Sequence, residues 1–126
     1  MESVAERVMR ALASIDGVEL SASMFGTDDA IWCSGKEIAH FDADDIIDIR
    51  LTKTVIRERL VELRADERVT LRKNASDWLE VRCSATDIGF VVDLVARAAD
   101  AHRPPPGERA TRAPRGGELE RRRRFH

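Results

Sequence analysis

Hydrophobic residues recur along this chain with two different periods, and their succession predicts its secondary structure. Apolar positions three or four residues apart indicate amphipathic helices, whereas strict alternation with polar positions indicates strands that bury one face. Three segments show the helical period and six show the strand period. The predicted order of elements is α-β-β-β-β-α-β-β-α.

The predicted helices carry recognisable start and stop signals. Ser3 and Glu6 have the spacing of a capping box, Thr52 can cap the second helix, and Ser84 opens the last. That helix should end near Arg103, because the Pro-Pro-Pro-Gly that follows cannot continue it. The predicted strands are 18–23, 30–34, 37–42, 46–51, 68–72 and 77–83.

Short turns between neighbouring strands imply antiparallel pairing, and the helices must cover the apolar face of the sheet. The sequence therefore predicts an α+β two-layer sandwich with helices on one face of an antiparallel sheet. The other face is expected to be open to solvent, a ligand or a second subunit.

Composition divides the chain into a domain and a tail. A chain of 126 residues supports one core. We expect a single domain over 1–103 and a Pro/Arg-rich disordered tail over 104–126. The domain has 14 basic and 20 acidic side chains, and the tail has seven arginines and three glutamates. Nucleic-acid binding is therefore not expected, except for what the arginine tail could contribute.

Several other function classes lack a signal. No apolar run is long enough to span a membrane, and the N-terminus does not have the pattern of a secretory signal. Cys33 and Cys83 lack metal-ligand spacing, so two buried thiols in a cytoplasmic protein are expected. No phosphate loop or dinucleotide fingerprint is present, and no cofactor is predicted.

Candidate chemistry is concentrated in the predicted hairpin of residues 36–52. With a three-residue loop at 43–45, His40 lies opposite Asp48 and Ile38 lies opposite Arg50. An even loop would instead put His40 among the buried isoleucines, so the odd loop should be favoured.

The same alternation, extended to the neighbouring strands, assigns a set of side chains to the open face. Two indoles among charged groups are unusual there, because large aromatic side chains normally seek burial. Something is expected to cover them. The set comprises Trp32, His40, Asp48, Arg50, Trp78, Glu80 and Arg82.

The runs GKEIAHFDADDIIDIRLT, IRERL and DERVTLRKNASDWLEVR together resemble a family of small bacterial proteins that share a domain with fungal luciferases. The resemblance covers roughly residues 25–103 and implies an antiparallel sheet with helices. The fungal enzymes oxidise a hydroxylated pyrone with dioxygen and without a redox cofactor, whereas most bacterial members have no assigned activity. The matching positions are Glu37, Ile38, His40, Asp48, Ser76, Asp77 and Trp78.

One departure from the family pattern bears on a metal site. Many members have a second histidine two residues after the first, where this chain has Asp42. A site built from His40, Asp42 and Asp48 would need three ligands to converge from two flanking strands. We therefore predict no metal.

The sequence leaves three interpretations of the open face. In the first, Trp32, Trp78, Glu80 and Arg82 bind a small aromatic ligand or the second subunit of a homodimer. In a second, enzymatic interpretation, His40 is a general base, Asp48 orients it and Arg50 holds an anion. In the third, these charges only stabilise the hairpin, as exposed ion pairs often do weakly.

Overall fold

The computed structural model describes residues 1–125, and the elements below are those of this range. The α-helices α1 to α5 are Val4–Leu12, Lys53–Glu58, Leu60–Ala65, Ile88–His102 and Gly117–Arg124. The strands β1 to β6 are Val18–Ala22, Asp29–Cys33, Lys36–Ala43, Ile46–Arg50, Val69–Leu71 and Trp78–Arg82.

The strands form one antiparallel sheet in the order β1-β2-β3-β4-β6-β5. The predicted α+β class is confirmed, and the order of elements agrees with two differences. The second predicted helix is divided at Arg59 into α2 and α3, and α5 follows the last predicted helix.

The main core lies between one sheet face and the helices α1 and α4. Both helices pack against it through apolar stripes, and α1 begins at the predicted capping box of Ser3 and Glu6. The fully buried large side chains of this core are Val8, Leu12, Ile31, Ile38, Ile47, Ile49, Leu51, Leu79, Val81, Val91 and Val95.

The β3–β4 hairpin has the predicted register but reaches it differently. Its turn contains only Asp44 and Asp45. Asp42 is an extra residue in β3, since Phe41 pairs with Ile47 while Ala43 pairs with Ile46. The bulge adds one residue to β3. The side chains of β3 and β4 therefore share the same faces across the two-residue turn as they would across the predicted three-residue loop.

A second bulge in β3 corrects the prediction for Ile38. Ile31 pairs with Ala39 and Trp32 with Glu37, which leaves Ile38 as the extra residue. Ile38 is fully buried in the main core, so it does not share the face of His40 as predicted. The bulge also brings Glu37 onto the face of His40, although residues three apart in a regular strand point to opposite faces.

The C-terminal segment differs from the predicted disordered tail. It crosses the sheet face opposite α1 and α4, and it buries Ala113 and Leu119 against Ala30 and Trp32. Trp32 is fully buried by this contact. Low apolar content favoured disorder, but two apolar side chains and several arginine hydrogen bonds are enough contacts to hold the segment in this structure.

Arginines of the C-terminal segment bind main-chain carbonyl oxygens of the sheet's loops. Arg122 Nη1 donates to the Gly35 carbonyl at 3.0 Å, and Arg123 Nη2 donates to that of Ser23 at 2.6 Å. The Ala113 N–H donates to Glu19 Oε1 at 2.6 Å. The tail therefore covers the β1–β2 side of this face, and we call the part formed by β4, β6 and β5 the uncovered half.

Both cysteines are buried free thiols, and burial, the largest influence on each, raises the pKa of Cys33 and of Cys83. Within residues 1–125, no helix has the length and apolar character needed to cross a bilayer.

Candidate functional site

The structure brings His40 and Asp48 together as directly paired residues of neighbouring strands. His40 Nε2 lies 3.1 Å from Asp48 Oδ2, within hydrogen-bond distance. Both side chains are largely buried, His40 with 13% of its side chain exposed and Asp48 with 9%. The predicted spacing therefore places an imidazole and a carboxylate in contact on the sheet face away from α1 and α4.

Glu37 contacts the other side of the imidazole. Its Oε2 lies 2.8 Å from His40 Nδ1, close enough for an ion pair but not aligned as a hydrogen bond. Glu37 is itself buried, and it accepts hydrogen bonds from Ser23 Oγ at 2.7 Å and from the Met24 N–H at 2.6 Å. Both nitrogens of His40 therefore face carboxylate oxygens.

Two opposing influences set the pKa of His40. Burial is the largest and lowers it, because a charged imidazole is poorly solvated in the protein. The contacts with Asp48 and Glu37 together outweigh burial and raise the pKa to about 9. His40 is therefore a cation at neutral pH, and this state is unfavourable for a general base.

Asp48 has one oxygen bound to His40 and one oxygen without a partner. The residue is 6% exposed, and Oδ1 is buried with no hydrogen-bond partner in the described chain. Buried polar atoms of this kind are uncommon because lost hydration is not replaced. Asp48 lines a cleft of about 390 Å³, whose other lining residues are Phe25, His40, Asp42, Arg72 and Trp78.

Aromatic rings enclose the imidazole. The ring centroids of Phe25 and Trp78 both lie 5.2 Å from that of His40, and they are 5.8 Å apart in an edge-to-face arrangement. The Phe25 N–H donates to Ser23 Oγ, which is also bonded to Glu37, so this network positions Phe25 as well. The cleft thus combines an aromatic wall with polar groups, as ligand sites commonly do.

Among the other predicted site residues, Arg50 and Arg82 lie apart from this pair, and Glu80 is next to Asp48. Arg50 Nη2 contacts Asp77 at 3.6 Å, while its Nε is buried without a partner. Glu80 pairs with Asp48 across the β4–β6 ladder and lines an adjoining cleft. Arg82 is exposed at the far end of β6, near the hairpin tip.

Trp32 lies under the C-terminal segment, whereas Trp78 lines the uncovered cleft. The two indoles therefore do not form one surface. Trp32 belongs to the covered half, and its Nε1 is buried without a hydrogen-bond partner.

Glu37, Phe25 and Arg72 were not predicted as catalytic or binding residues. Glu37 is one of the positions that match the luciferase-domain family, but regular alternation puts it on the face opposite His40, and only the bulge reverses this. Phe25 lies in a loop, and no periodicity places a loop residue. Arg72 follows β5 and reaches the cleft only because β5 pairs beyond β6.

Among residues 1–125, no group of three or more histidine, cysteine, aspartate or glutamate side chains is arranged to hold a metal ion. The imidazole next to Glu37 and Asp48 is that of His40, and its two nitrogens already contact these two carboxylates. Asp48 Oδ1 is a buried hydrogen-bond acceptor without a partner in the described chain, on a residue that lines the cleft.

No protein-family model, curated protein or solved structure matches the chain. The resemblance to luciferase-domain proteins therefore stays a prediction, and function has to be argued from the site itself.

Proposed function

We propose that this chain is a small-molecule-binding domain whose ligand lies at Asp48, on the uncovered half of the sheet face. The observation that carries the proposal is that Asp48 lines a cleft while its buried Oδ1 has no hydrogen-bond partner in the described chain. A ligand O–H or N–H would supply the missing hydrogen bond and offset the cost of burying that oxygen.

The shape of the ligand follows from the walls of the cleft. Trp78 and Phe25 present aromatic surface beside the carboxylate, and this favours a flat ring over a flexible chain. Arg72 supplies a cation at the same cleft. A planar hydroxylated ring fits these features, and it is also the ligand class that the resemblance to luciferase-domain proteins implies.

In this proposal His40 positions Asp48 and does not react. Its cationic ring holds Oδ2 at 3.1 Å, and Glu37 fixes the ring from the other side. Oδ1 is then presented to the cleft in one orientation. A location in the cytoplasm is part of the proposal, supported by two unpaired thiols.

Oxygenation without a cofactor is the second candidate function, and the same oxygen favours it. A carboxylate with an unpartnered oxygen beside a bound hydroxylated ring could take the ring's acidic proton. The ring anion would then pass one electron to dioxygen, and recombination of the ring radical with superoxide would form a carbon-bound peroxide, so the ring is oxidised and dioxygen is reduced. Asp48 would be the base, in place of the predicted His40, whose nitrogens both contact carboxylates. Dioxygen uptake above the buffer rate with a 3,4-dihydroxy-2-pyrone, absent in Asp48→Asn, would support this function over binding alone.

Binding is tested by NMR titration with 7-hydroxycoumarin, which is flat and carries one hydroxyl. We expect saturable shifts of the Trp78 indole N–H and a roughly tenfold or greater loss of affinity in Asp48→Asn, because a hydrogen bond to a charged group is worth about 1.5–3 kcal/mol. Asp44→Asn, at the exposed hairpin tip, is the control with the same change of charge.

Equal affinity of the two variants would rule out Asp48 as the ligand-binding group. A concentration-dependent dimer that protects Trp78 and excludes the probe would instead support the predicted homodimer on this face. Amide spectra of each variant check that the fold is retained.

A further inference from the structure

A second cleft, which we call the basic cleft, lies between the α2–α3 pair and the loop after β5. Its volume is about 330 Å³, within the range of small-molecule sites. The lining residues are Lys53, Ile56, Arg57, Leu60, Arg64, Leu71, Arg72, Lys73, Asn74, Ala75, Ser76 and Trp78.

The charge of this lining is of one sign. Five of its residues are exposed cations, and no carboxylate lines the cleft in the described chain. Residues 1–103 carry more acidic than basic side chains, so the clustering runs against the charge of the domain. A concave surface of one sign raises the local concentration of counterions. The cations are Lys53, Arg57, Arg64, Arg72 and Lys73.

None of these five cations is paired with a carboxylate within residues 1–125. The nearest acidic residue in sequence to the loop is Asp77, and its two oxygens contact the main-chain N–H of Lys53 and the guanidinium of Arg50. The basic cleft therefore presents several uncommitted donors of positive charge to whatever enters it.

The remaining lining is apolar. Ile56, Leu60 and Leu71 are partly buried, and Trp78 adds an aromatic ring. A simple inorganic ion would use the cations and leave this apolar surface in contact with water. An anion with a flat apolar body would use both parts of the lining.

We propose that the basic cleft binds an organic phosphate that carries a flat apolar group. A phosphate ester offers three acceptor oxygens and close to two negative charges at neutral pH, and arginine recognises such groups through paired N–H donors. A carboxylate has one charge and two oxygens, so it would neutralise less of a lining of five cations than a phosphate ester would. The proposal does not depend on the function proposed for the Asp48 cleft.

The test is an NMR titration of the full chain with 2-naphthyl phosphate, 2-naphthoate, 2-naphthol and inorganic phosphate. We expect 2-naphthyl phosphate to bind most tightly and to shift the Trp78 indole and the amides of residues 72–76. Its affinity should fall as salt is raised, because exposed charges are screened. Replacing Arg57 and Arg64 together by Gln should weaken binding at least tenfold.

The matched control is Arg109→Gln with Arg124→Gln, which removes the same charge from exposed positions outside the cleft. An equal loss of affinity in the control, or the absence of saturable binding of 2-naphthyl phosphate, would overturn the proposal. Equal binding of 2-naphthoate would overturn the assignment to phosphate. The two clefts share Arg72 and Trp78, but Arg57 and Arg64 do not line the Asp48 cleft. Their replacement should therefore leave 7-hydroxycoumarin binding unchanged, which separates the two outcomes.

Discussion

Asp48 contacts His40 through one carboxylate oxygen only: Oδ2 lies 3.1 Å from Nε2, and Oδ1 is buried without a hydrogen-bond partner. In the proposed function the imidazole ring holds the carboxylate in place, and the second oxygen accepts a hydrogen bond from a ligand.

The first prediction concerns the titration of His40. Replacing Asp48 by Asn or Glu37 by Gln removes one of the two groups that raise its pKa, so we expect each variant to titrate below the value of about 9. Burial should then lower the pKa further. Long-range nitrogen–proton NMR of the imidazole measures this directly, and an unchanged pKa in both variants would contradict the network.

The second prediction concerns stability and pH. The folded pKa of His40 lies above the ordinary value of about 6.5. Between these two pKa values the folded protein keeps a proton on His40 that the unfolded chain releases. The contribution of His40 to the free energy of unfolding is therefore complete below pH 6.5 and is lost as the pH rises to about 9. That contribution is at most on the order of 3 kcal/mol.

Denaturant unfolding of the wild type and His40→Gln between pH 6 and 8.5 tests this. The wild type should lose stability across the range, and the difference between the two proteins should shrink as pH rises. Comparison with the variant also removes the effect of Cys33 and Cys83, whose raised pKa acts in the same direction at alkaline pH. A constant difference would contradict the prediction.

The third prediction concerns the cover of the sheet. Leu119 is buried against Trp32, so Leu119→Ala should cost about 2 kcal/mol, at the low end for a buried leucine because the contact lies near the surface. In a Trp78→Phe background Trp32 is the only indole, and its emission should shift to the red when residues 104–126 are removed. Arg124→Gln, at an exposed position, is the control. Unshifted emission of the shortened chain would show that the segment does not cover Trp32.

The fourth prediction concerns another contact of the C-terminal segment, between Thr111 and Gly35. A Cβ at Gly35 would lie 2.9 Å from Thr111 Cγ2, and Gly35 has a φ of +80° that favours glycine. Gly35→Ala should therefore destabilise the protein both by backbone strain and by the clash. In a double-mutant cycle with Thr111→Gly only the clash is relieved, so we expect a coupling of at least about 0.5 kcal/mol. Additive effects would mean that the tail is not seated there.

The sequence was sufficient for the sheet, for α1 and α4 and for the pairing of His40 with Asp48, because burying the apolar residues on one face constrains register strongly. It was insufficient where the chain departs from alternation. The bulge at Ile38 moved that residue into the core and turned Glu37 toward the histidine. A bulge has no periodic signal of its own.

The position of the C-terminal segment could not be predicted from the sequence for a different reason. Its composition is typical of disorder, and composition does not report that Leu119 and Ala113 meet an uncovered tryptophan. Arg50 was placed on the correct face, but its partner Asp77 lies in the loop before β6 and could not be assigned by alternation.

The bulge at Asp42 has a consequence for comparing sequences of related hairpins. Without Asp42, Phe41 would still pair with Ile47 and Ala43 with Ile46, in a regular ladder with the same two-residue turn. A relative shorter by one residue between the histidine and the aspartate could therefore have the same imidazole–carboxylate pair. An alignment should place such a gap at Asp42, since a gap outside residues 41–47 would match His40 to a residue that does not pair with the aspartate.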